Sequence, residues 1–299
     1  MTASKLDGRP ADLPLVSAII PAYNAEKFVH SAIESALAQT HRLLEIIVVD
    51  DGSTDETVRA AGKYPVTVIR QKNGGPGNAR NTGAKAASGE WLAFLDHDDS
   101  WHAEKTAQQL QYIKPGIDAV FSEKYPGMQN IGFEEMFERN YGGNPSSTII
   151  RADVLRSLNY FDDDPGLYGL DDYNLWLRFL LAGYRFAGTP NLYDFTPQPD
   201  HYSGKTGKML AAELVNIDKI AALANLSRET AEKRKRLARL RYLPNLIQER
   251  DLAEARGQLK MTGFDRETAK YWVAFLPPSV LDFVRAVRRI ARNSRRMGK

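Results

Sequence analysis

The 299-residue chain contains no cysteine. That excludes disulfides, thiolate zinc sites and a cysteine nucleophile, and it suits a reducing compartment. The N-terminal stretch MTASKLDGRPADLPL has no apolar core, so no signal peptide is expected. No run approaches the roughly 18 apolar residues that a membrane span needs. No GxGxxG follows the first apolar run and no GxxxxGK[ST] occurs anywhere, so dinucleotide-binding and P-loop readings lose their usual support.

What is present is unevenly charged. From Arg228 to Lys299 the chain carries 19 Lys and Arg against 8 Asp and Glu, whereas the other 227 residues carry 21 against 29. An acidic body and a basic tail are averaged into a formal charge of +3. Such a tail is suited to an anionic partner, either a membrane surface or a polyanion.

The segment Trp91–Trp101, WLAFLDHDDSW, organises the chain. Five apolar residues read as a buried parallel strand that ends at Asp96, His97, Asp98 and Asp99. In open α/β sheets ligands bind at the carboxyl ends of strands. A helix cap before Glu104–Tyr112 accounts for one carboxylate. Three carboxylates in four positions point to a hard divalent cation. Leu15–Ile20, Leu44–Val49 and Val66–Ile69 read as further strands, separated by helices over Ala25–Gln39 and Asn78–Ala87. Pro21–Asn24 reads as a turn, and Ser53 with Glu56 as a capping box. This alternation predicts a doubly wound, mostly parallel mixed sheet. The glycines at 74, 75 and 77 read as a flexible turn rather than a phosphate cradle.

Further on, Ile117–Ser122 and Ser146–Ile150 read as strands, and Glu123–Asn144 as an irregular segment of the kind that forms lids. Asp171 and Asp172 open a helix with the apolar face Leu175, Trp176, Phe179 and Leu180, a pair that dipole compensation alone would also favour. Tyr184–Ala187 and Leu192–Phe195 read as strands closing the domain. Beyond Lys205 the pattern is helical, with a break expected at Pro244 and a solvated basic face at Lys233–Arg236. Pro278–Arg296 interleaves arginines with apolar residues after Trp272, Phe275 and Leu276. It reads either as a helix at a membrane interface or as one docked on its own domain with a frayed basic end.

Four segments carry a resemblance: VSAIIPAYNAEKFVHSAIESALAQT, EIIVVDDGSTDET, NGGPGNARNTGAKAASGEWLAFLDHDDSW and the later LDDYNLWLR. Together they resemble the family 2 glycosyltransferases of the GT-A fold. The resemblance implies a GT-A domain over residues 1–204, with a basic helical extension over 205–299. It implies inverting transfer of one sugar from a nucleoside diphosphate sugar, UDP or dTDP, to a hydroxyl on a glycan or lipid-linked saccharide in cell-envelope polysaccharide biosynthesis. By the same resemblance Pro21, Ala22, Tyr23, Asn24 and Asp51 hold the nucleoside. Arg80, Asp96 and His97 line the donor pocket. Asp98, Asp96 and Asp99, with His201, face a Mn²⁺ or Mg²⁺ ion. Asp172 is the general base and Asp171 its neighbour, standing where the family commonly has Glu. Ser147 or Thr148 would lie near the sugar, and Asp194 stands where an Arg is common.

The processive synthases of the family carry QxxRW, but Trp91, Trp101, Trp176 and Trp272 all lack a preceding Arg, which points to addition of a single sugar or a short extension. The implied setting is cytoplasmic, with the tail on the inner face of the membrane and no nucleic-acid partner. Two other classes stay open: a nucleotidyltransferase acting on sugar phosphates, and a non-catalytic nucleotide-sugar-binding module.

Overall fold

The computed structural model describes residues 14–42, 45–122, 130–139, 143–167, 169–196, 206–265, 267–272 and 275. Two compact units result, Met1–His201 and Tyr202–Lys299.

The first unit is built on a seven-stranded sheet. Its strands are β1 (Val16–Ala22), β2 (Glu45–Asp50), β3 (Thr67–Arg70), β4 (Trp91–Phe94), β6 (Ala119–Ser122), β7 (Thr148–Arg151) and β8 (Phe186–Thr189). They lie in the order β3-β2-β1-β4-β7-β6-β8. The first four run parallel, β7 is antiparallel to both its neighbours, and β6 is parallel to β8. The sheet is thus mixed and mostly parallel, as expected. Strands β1 and β4 are buried along their whole length, which is why they read as unbroken apolar runs. Edge strand β3 is only half-buried.

Two local readings are corrected here. Pro21 and Ala22 belong to β1 rather than to a turn. Ile19 O accepts from Leu95 N and Ala22 O from Asp51 N, so the absent N–H of Pro21 faces β4 just past the end of that ladder, where no donor is needed. The proposed capping box does not form: the Ser53 hydroxyl accepts the Asn24 N–H at 2.9 Å, and α2 (Thr57–Ala61) begins later without a side-chain cap.

Helices α1 (Val29–Leu37) and α3 (Pro76–Ala86) cover the sheet. A Cβ on Gly83 of α3 would lie 2.4 Å from Ile19 Cγ2, so the missing side chain sets how closely this helix approaches β1. Phe133–Glu138 forms a helix, α5, within the segment read as irregular. Tyr193 and Asp194 (β9) do not join the large sheet. They pair antiparallel with Ser100 and Trp101 (β5), so the polypeptide following the four-residue polar cluster becomes a two-stranded ribbon. Helix α4 (Lys105–Leu110) follows β5, and α7 spans Asp171–Leu181.

The second unit comprises α8 (Thr206–Leu223), α9 (Arg228–Gln248), α10 (Leu252–Thr262) and the short α11 (Ala269–Trp272). Ser227 caps α9 by accepting Thr230 N at 3.1 Å, and Asp251 caps α10 by accepting Glu254 N at 3.2 Å. Pro244 does not break α9, which continues through it to Gln248. Leu243 and Leu246 on either side are buried, and that packing offsets the lost backbone bond. The basic run is not a solvated face. Arg234 is buried with its Nη2 2.7 Å from Glu213, Lys235 pairs with Asp218 at 2.6 Å, and Arg236 holds Asp265 and Glu267. His201 and Pro278–Arg296 lie outside the described residues. No described helix is long and apolar enough to cross a membrane.

Candidate active site

The carboxyl ends of β2, β1 and β4 are adjacent, and each opens into a polar segment. After β1 the chain bends at Tyr23, which is 45% exposed, and at Asn24, whose backbone is left-handed at φ 48°. Asn24 tolerates this because its side chain is anchored: Oδ1 accepts Thr54 N at 2.9 Å, while its own N–H reaches Ser53 Oγ. Ala25 N donates to Thr57 Oγ1 at 2.7 Å. These bonds stitch PAYN to the DDGSTDET segment.

Asp51 is buried at the end of β2. Its Oδ1 accepts from Gln71 Nε2 at 2.7 Å and Gly74 N at 2.9 Å, and its Oδ2 accepts from Gly75 N at 2.8 Å. The glycine segment therefore aims two amides at a carboxylate of its own chain. It is an anchored loop, not a free turn.

The polar cluster after β4 splits in direction. Asp96 N donates to Ser146 Oγ at 3.0 Å, and its carboxylate Oδ1 meets Arg80 Nη2 at 2.6 Å. His97 Nδ1 lies 3.3 Å from Pro21 O, which ties the middle residue to β1. Asp99 turns inward: it is 1% exposed, and its oxygens meet Asn144 Nδ2 and Thr196 N. Burial, with the charge of Asp96 next, pushes its carboxyl up to about 7. Among the described residues no three His, Cys, Asp or Glu side chains gather as a metal-holding group. Of the three carboxylates expected to face the ion, Asp99 is the buried one, held beneath the loop. Asp96 and Asp98 are both half-buried and present carboxylate oxygens. An oxygen-only pair fits a hard cation that takes its other ligands from phosphate and water.

Arg80, from α3, is the hub. Its Nη2 meets Asp96 and its Nη1 meets Asp171 Oδ2, both at 2.6 Å, over the Phe161 ring at 5.5 Å. The side chain is 6% exposed. Burial works against its charge, yet the attraction of Asp96 and Asp171 prevails and holds it firmly cationic. Helix α7 reaches Arg80 because Gly77 has no side chain: a Cβ there would stand 3.0 Å from Asp171 Oδ2. One guanidinium thus binds the polar cluster of β4 to the carboxylate pair that opens α7.

Within that pair the two acids differ. Burial raises both. Asp171 is drawn back down by its contact with Arg80. Asp172 has Arg80 only at a distance and faces the Asp171 charge, so burial first and that neighbour second push it up to about 7. Its Oδ1 accepts the Tyr173 N–H at 2.6 Å. A half-buried carboxyl poised near neutrality beside an ion-paired one can exchange a proton with a bound hydroxyl.

Three supporting residues carry no sequence signal. Ser146, rather than Ser147 or Thr148, touches the Asp96 backbone; Ser147 Oγ donates to Asn144 O at 2.7 Å, and Thr148 lies in β7. Gln109 Nε2 donates to Ser147 O at 2.8 Å and Val120 O at 3.0 Å, and Trp101 Nε1 to Ser146 O at 2.8 Å. Lys105 fixes both partners: its Nζ lies 2.8 Å from Gln109 Oε1 and 4.4 Å from the Trp101 ring centroid, and the residue is wholly buried. Asp194 is exposed and 3.3 Å from His102 Nε2, at the edge of this support rather than in it.

Burial drives the Lys105 ammonium well below its ordinary 10.5. Lys105→Met keeps the stem but strands Gln109 Oε1, which is expected to cost about 1–3 kcal/mol. The folded lysine binds fewer protons than the unfolded one as pH climbs towards 10.5, so wild type gains stability over the variant along that climb. Chemical denaturation of both proteins across alkaline pH measures it. A constant difference would place the charge of Lys105 elsewhere.

A model described as glycosyl transferase family 2 matches residues 17–179. An Escherichia coli protein described as UDP-Glc:alpha-D-GlcNAc-diphosphoundecaprenol beta-1,3-glucosyltransferase WfaP is 34% identical over 200 residues, covering 61% of this chain and 76% of the relative. An uncharacterized glycosyltransferase of Rickettsia typhi is 44% identical over 192 residues, 56% of this chain and 59% of the relative. The match to the Rickettsia prowazekii glycosyltransferase covers only 32% of that protein's length. Among solved structures, the mannosyltransferase PcManGT of Pyrobaculum calidifontis, with GDP-Man and Mn²⁺, superposes with TM-score 0.61 at 21% identity, covering 91% of this chain and 85% of that one. TarS 1–349 of S. aureus with UDP-GlcNAc gives TM-score 0.57 at 19% identity, covering 87% and 90%. The shared architecture is the GT-A fold with C-terminal helices.

Proposed function

The chain belongs to glycosyl transferase family 2, and from that premise we propose that it moves one sugar, with inversion, from a UDP- or dTDP-sugar to a hydroxyl on a glycan or lipid-linked saccharide. The observation that carries this reading is the Arg80 bridge, which joins Asp96 at the end of β4 to Asp171 at the start of α7. It makes one site of the two carboxylate motifs. The PAYN segment and Asp51 take the nucleoside at the neighbouring strand ends, with Tyr23 offering an exposed ring for the base. Asp172 accepts the proton of the acceptor hydroxyl as the oxygen attacks the anomeric carbon from the face opposite the departing diphosphate. Arg80 stays cationic throughout and keeps the two halves in register. Asp98 with Asp96 would hold Mn²⁺ or Mg²⁺, and the bound cation would neutralise charge on the departing nucleoside diphosphate. The acceptor of the WfaP relative, a diphosphoundecaprenol-linked sugar, supports a lipid-linked acceptor here. The same reading takes residues 1–204 as the transferase domain and puts the enzyme at the inner face of the cytoplasmic membrane.

A thermal-shift screen of nucleoside diphosphate sugars with and without Mn²⁺ tests the donor. The expected result is a metal-dependent rise in Tm confined to one base. Asp98→Ala should erase the metal-dependent part and lower turnover by at least about 100-fold. A metal-dependent rise of wild-type size in Asp98→Ala would remove that residue from the cation site. Release of a nucleoside diphosphate identifies a glycosyltransferase, whereas pyrophosphate from a nucleoside triphosphate would identify a nucleotidyltransferase.

A further inference from the structure

We propose that Asn81 and Arg178 are positioning residues for the transfer: they clamp the turn after α6 (Ala152–Ser157) and so seat the Phe161 ring against the Arg80 guanidinium. The inference rests on the reading of Arg80 as the bridge of a single transfer site.

Helix α6 closes at Leu158, and the next two residues are left-handed, Asn159 at φ 55° and Tyr160 at φ 62°. A helix end accounts for the first. Tyr160 N donates to Leu155 O at 2.9 Å, which closes the last turn, and asparagine is one of the residues that accept left-handed backbone there. It does not account for the second. Helix ends need one such residue, and a bulky aromatic side chain disfavours that backbone. The conformation has to be held from outside.

Two helices hold it. From α7, Arg178 Nη1 donates to Leu158 O and Nη2 to Tyr160 O at 2.8 Å, so one guanidinium grips the carbonyls on both sides of the peptides it must fix. Its Nε donates to Asn174 Oδ1 at 2.7 Å, one turn earlier in the same helix, which sets the direction of the side chain. From α3, Asn81 Oδ1 accepts Phe161 N at 2.9 Å, and Asn81 Nδ2 donates to Phe161 O at 2.8 Å. On the same stripe of α3, Asn78 Nδ2 reaches Asp163 Oδ2 at 3.1 Å and Lys85 Nζ lies 5.2 Å from the Tyr160 ring centroid.

The clamp delivers the Phe161 ring. Phe161 is buried, its ring meets Phe94 of β4 edge to face at 5.1 Å between centroids, and its centroid lies 5.5 Å from Arg80 Cζ. Arg80 needs such a surface. Its terminal nitrogens meet Asp96 and Asp171, but its buried Nε has no hydrogen-bond partner among the described residues. Bonds through the two ends of a fork leave its plane free to tilt about the line joining them, and a flat ring restricts that tilt. Satisfying buried backbone groups serves stability wherever it occurs. Here the bonds come from the two helices that carry Arg80 and Asp171, and Asn81 is the next residue after Arg80, so loosening the turn reaches the bridge directly.

The test reads the Arg80 guanidinium itself, by NMR of the full chain with isotope-labelled arginine, without donor or acceptor. Arg80→Lys assigns the resonances. Wild-type Hη protons are expected to exchange slowly with water, and Asn81→Ala and Phe161→Leu should each speed that exchange by at least about 10-fold. The same two variants should lower kcat about 10- to 100-fold, the scale of a displaced catalytic constellation. Arg178→Lys can hold one carbonyl at a time and should fall between wild type and Arg178→Met in both readouts. In the Arg80→Lys background Asn81→Ala should lower kcat by less than about 2-fold, since the group it positions is gone, while its loss of Tm persists. Ile33→Val, in the buried core of α1, should lower Tm and leave exchange and kcat at wild-type values. Wild-type exchange and kcat in Asn81→Ala and Phe161→Leu, at lowered Tm, would make the clamp a stability device only and overturn the proposal. So would an equal loss of kcat from Asn81→Ala in both backgrounds, or wild-type Arg80 protons that exchange as fast as those of an exposed arginine. Exchange needs no sugar chemistry: it decides the clamp by itself, whereas a wild-type chain that transfers nothing from any donor removes the transferase reading.

Discussion

Asp172→Asn is expected to bind donor as wild type does and to transfer almost nothing. A positioned base contributes about 100- to 10,000-fold, and the amide removes it without changing the side chain's shape. The variant also isolates a signature in pH. Wild-type Asp172 must be ionised to act, and its carboxyl stands at about 7. The transfer rate should therefore rise with pH through neutrality and level off above it, an acid limb that belongs to the Asp171–Asp172 pair. Stability runs the other way. The group's ordinary value is 3.8, so between 3.8 and about 7 the folded chain binds the extra proton, and wild type loses stability as pH rises across that window. Asp172→Asn carries no such charge. At pH 8 it should melt above wild type, and the gap should close on acidification, the opposition of stability and activity common at buried catalytic groups. Differential scanning calorimetry and a coupled nucleoside diphosphate assay over pH 5–9 read both arms. Transfer by the variant at a wild-type rate would end the assignment of Asp172 as base.

Strands β1, β2 and β4 were legible because burial on both faces leaves continuous apolar runs, and the carboxylates at their ends mark the ligand edge. The failures trace to side chains whose partners are distant. Ser53 and Glu56 have capping-box spacing, but a hydroxyl accepts wherever a better-placed N–H arrives, and Asn24 supplies one from 29 positions away. Arg80 and Asp171 are 91 positions apart, so no window could pair them; the topology does so by laying α3 and α7 against each other at Gly77. Lys105 looks like any lysine early in a helix. Only the packing of α4 under the Ser146–Ser147 turn reveals that it is buried. At Lys233–Arg236 local charge density suggested a solvated face, while the partners Glu213, Asp218, Asp265 and Glu267 come from α8 and from beyond α10. Pro244 shows the converse. Propensity predicts a break, but the tertiary burial of Leu243 and Leu246 outweighs the loss of one backbone bond.

Arg80→Met should be the most damaging single change in the first unit. Methionine fills the space over Phe161 but leaves Asp96 and Asp171 facing each other without the cation between them. Removing one member of a buried ionic cluster typically costs about 3–5 kcal/mol, because the remaining charges stay desolvated. The pH dependence identifies the cause. Without the guanidinium the carboxyl of Asp171 is raised further above its ordinary value, so the folded variant takes up protons that the unfolded chain does not. Its deficit against wild type should widen as pH rises from the carboxylate range to neutrality and shrink again on acidification. Asp171→Asn in the Arg80→Met background removes one of the stranded charges and should recover part of the loss, a non-additivity that a double-mutant cycle measures directly. Arg80→Lys guards against a variant that simply fails to fold. A lysine restores one positive charge, so Tm should largely return. A single ammonium lacks the planar fork that reaches Asp96 and Asp171 at once, so transfer should stay well below wild type. That division, stability restored and turnover not, separates a guanidinium that holds two motifs in register from one that only balances charge. Equal recovery of both by Arg80→Lys would reduce Arg80 to a counterion, and an Arg80→Met protein with wild-type Tm and turnover would dissolve the bridge on which the single-site reading stands.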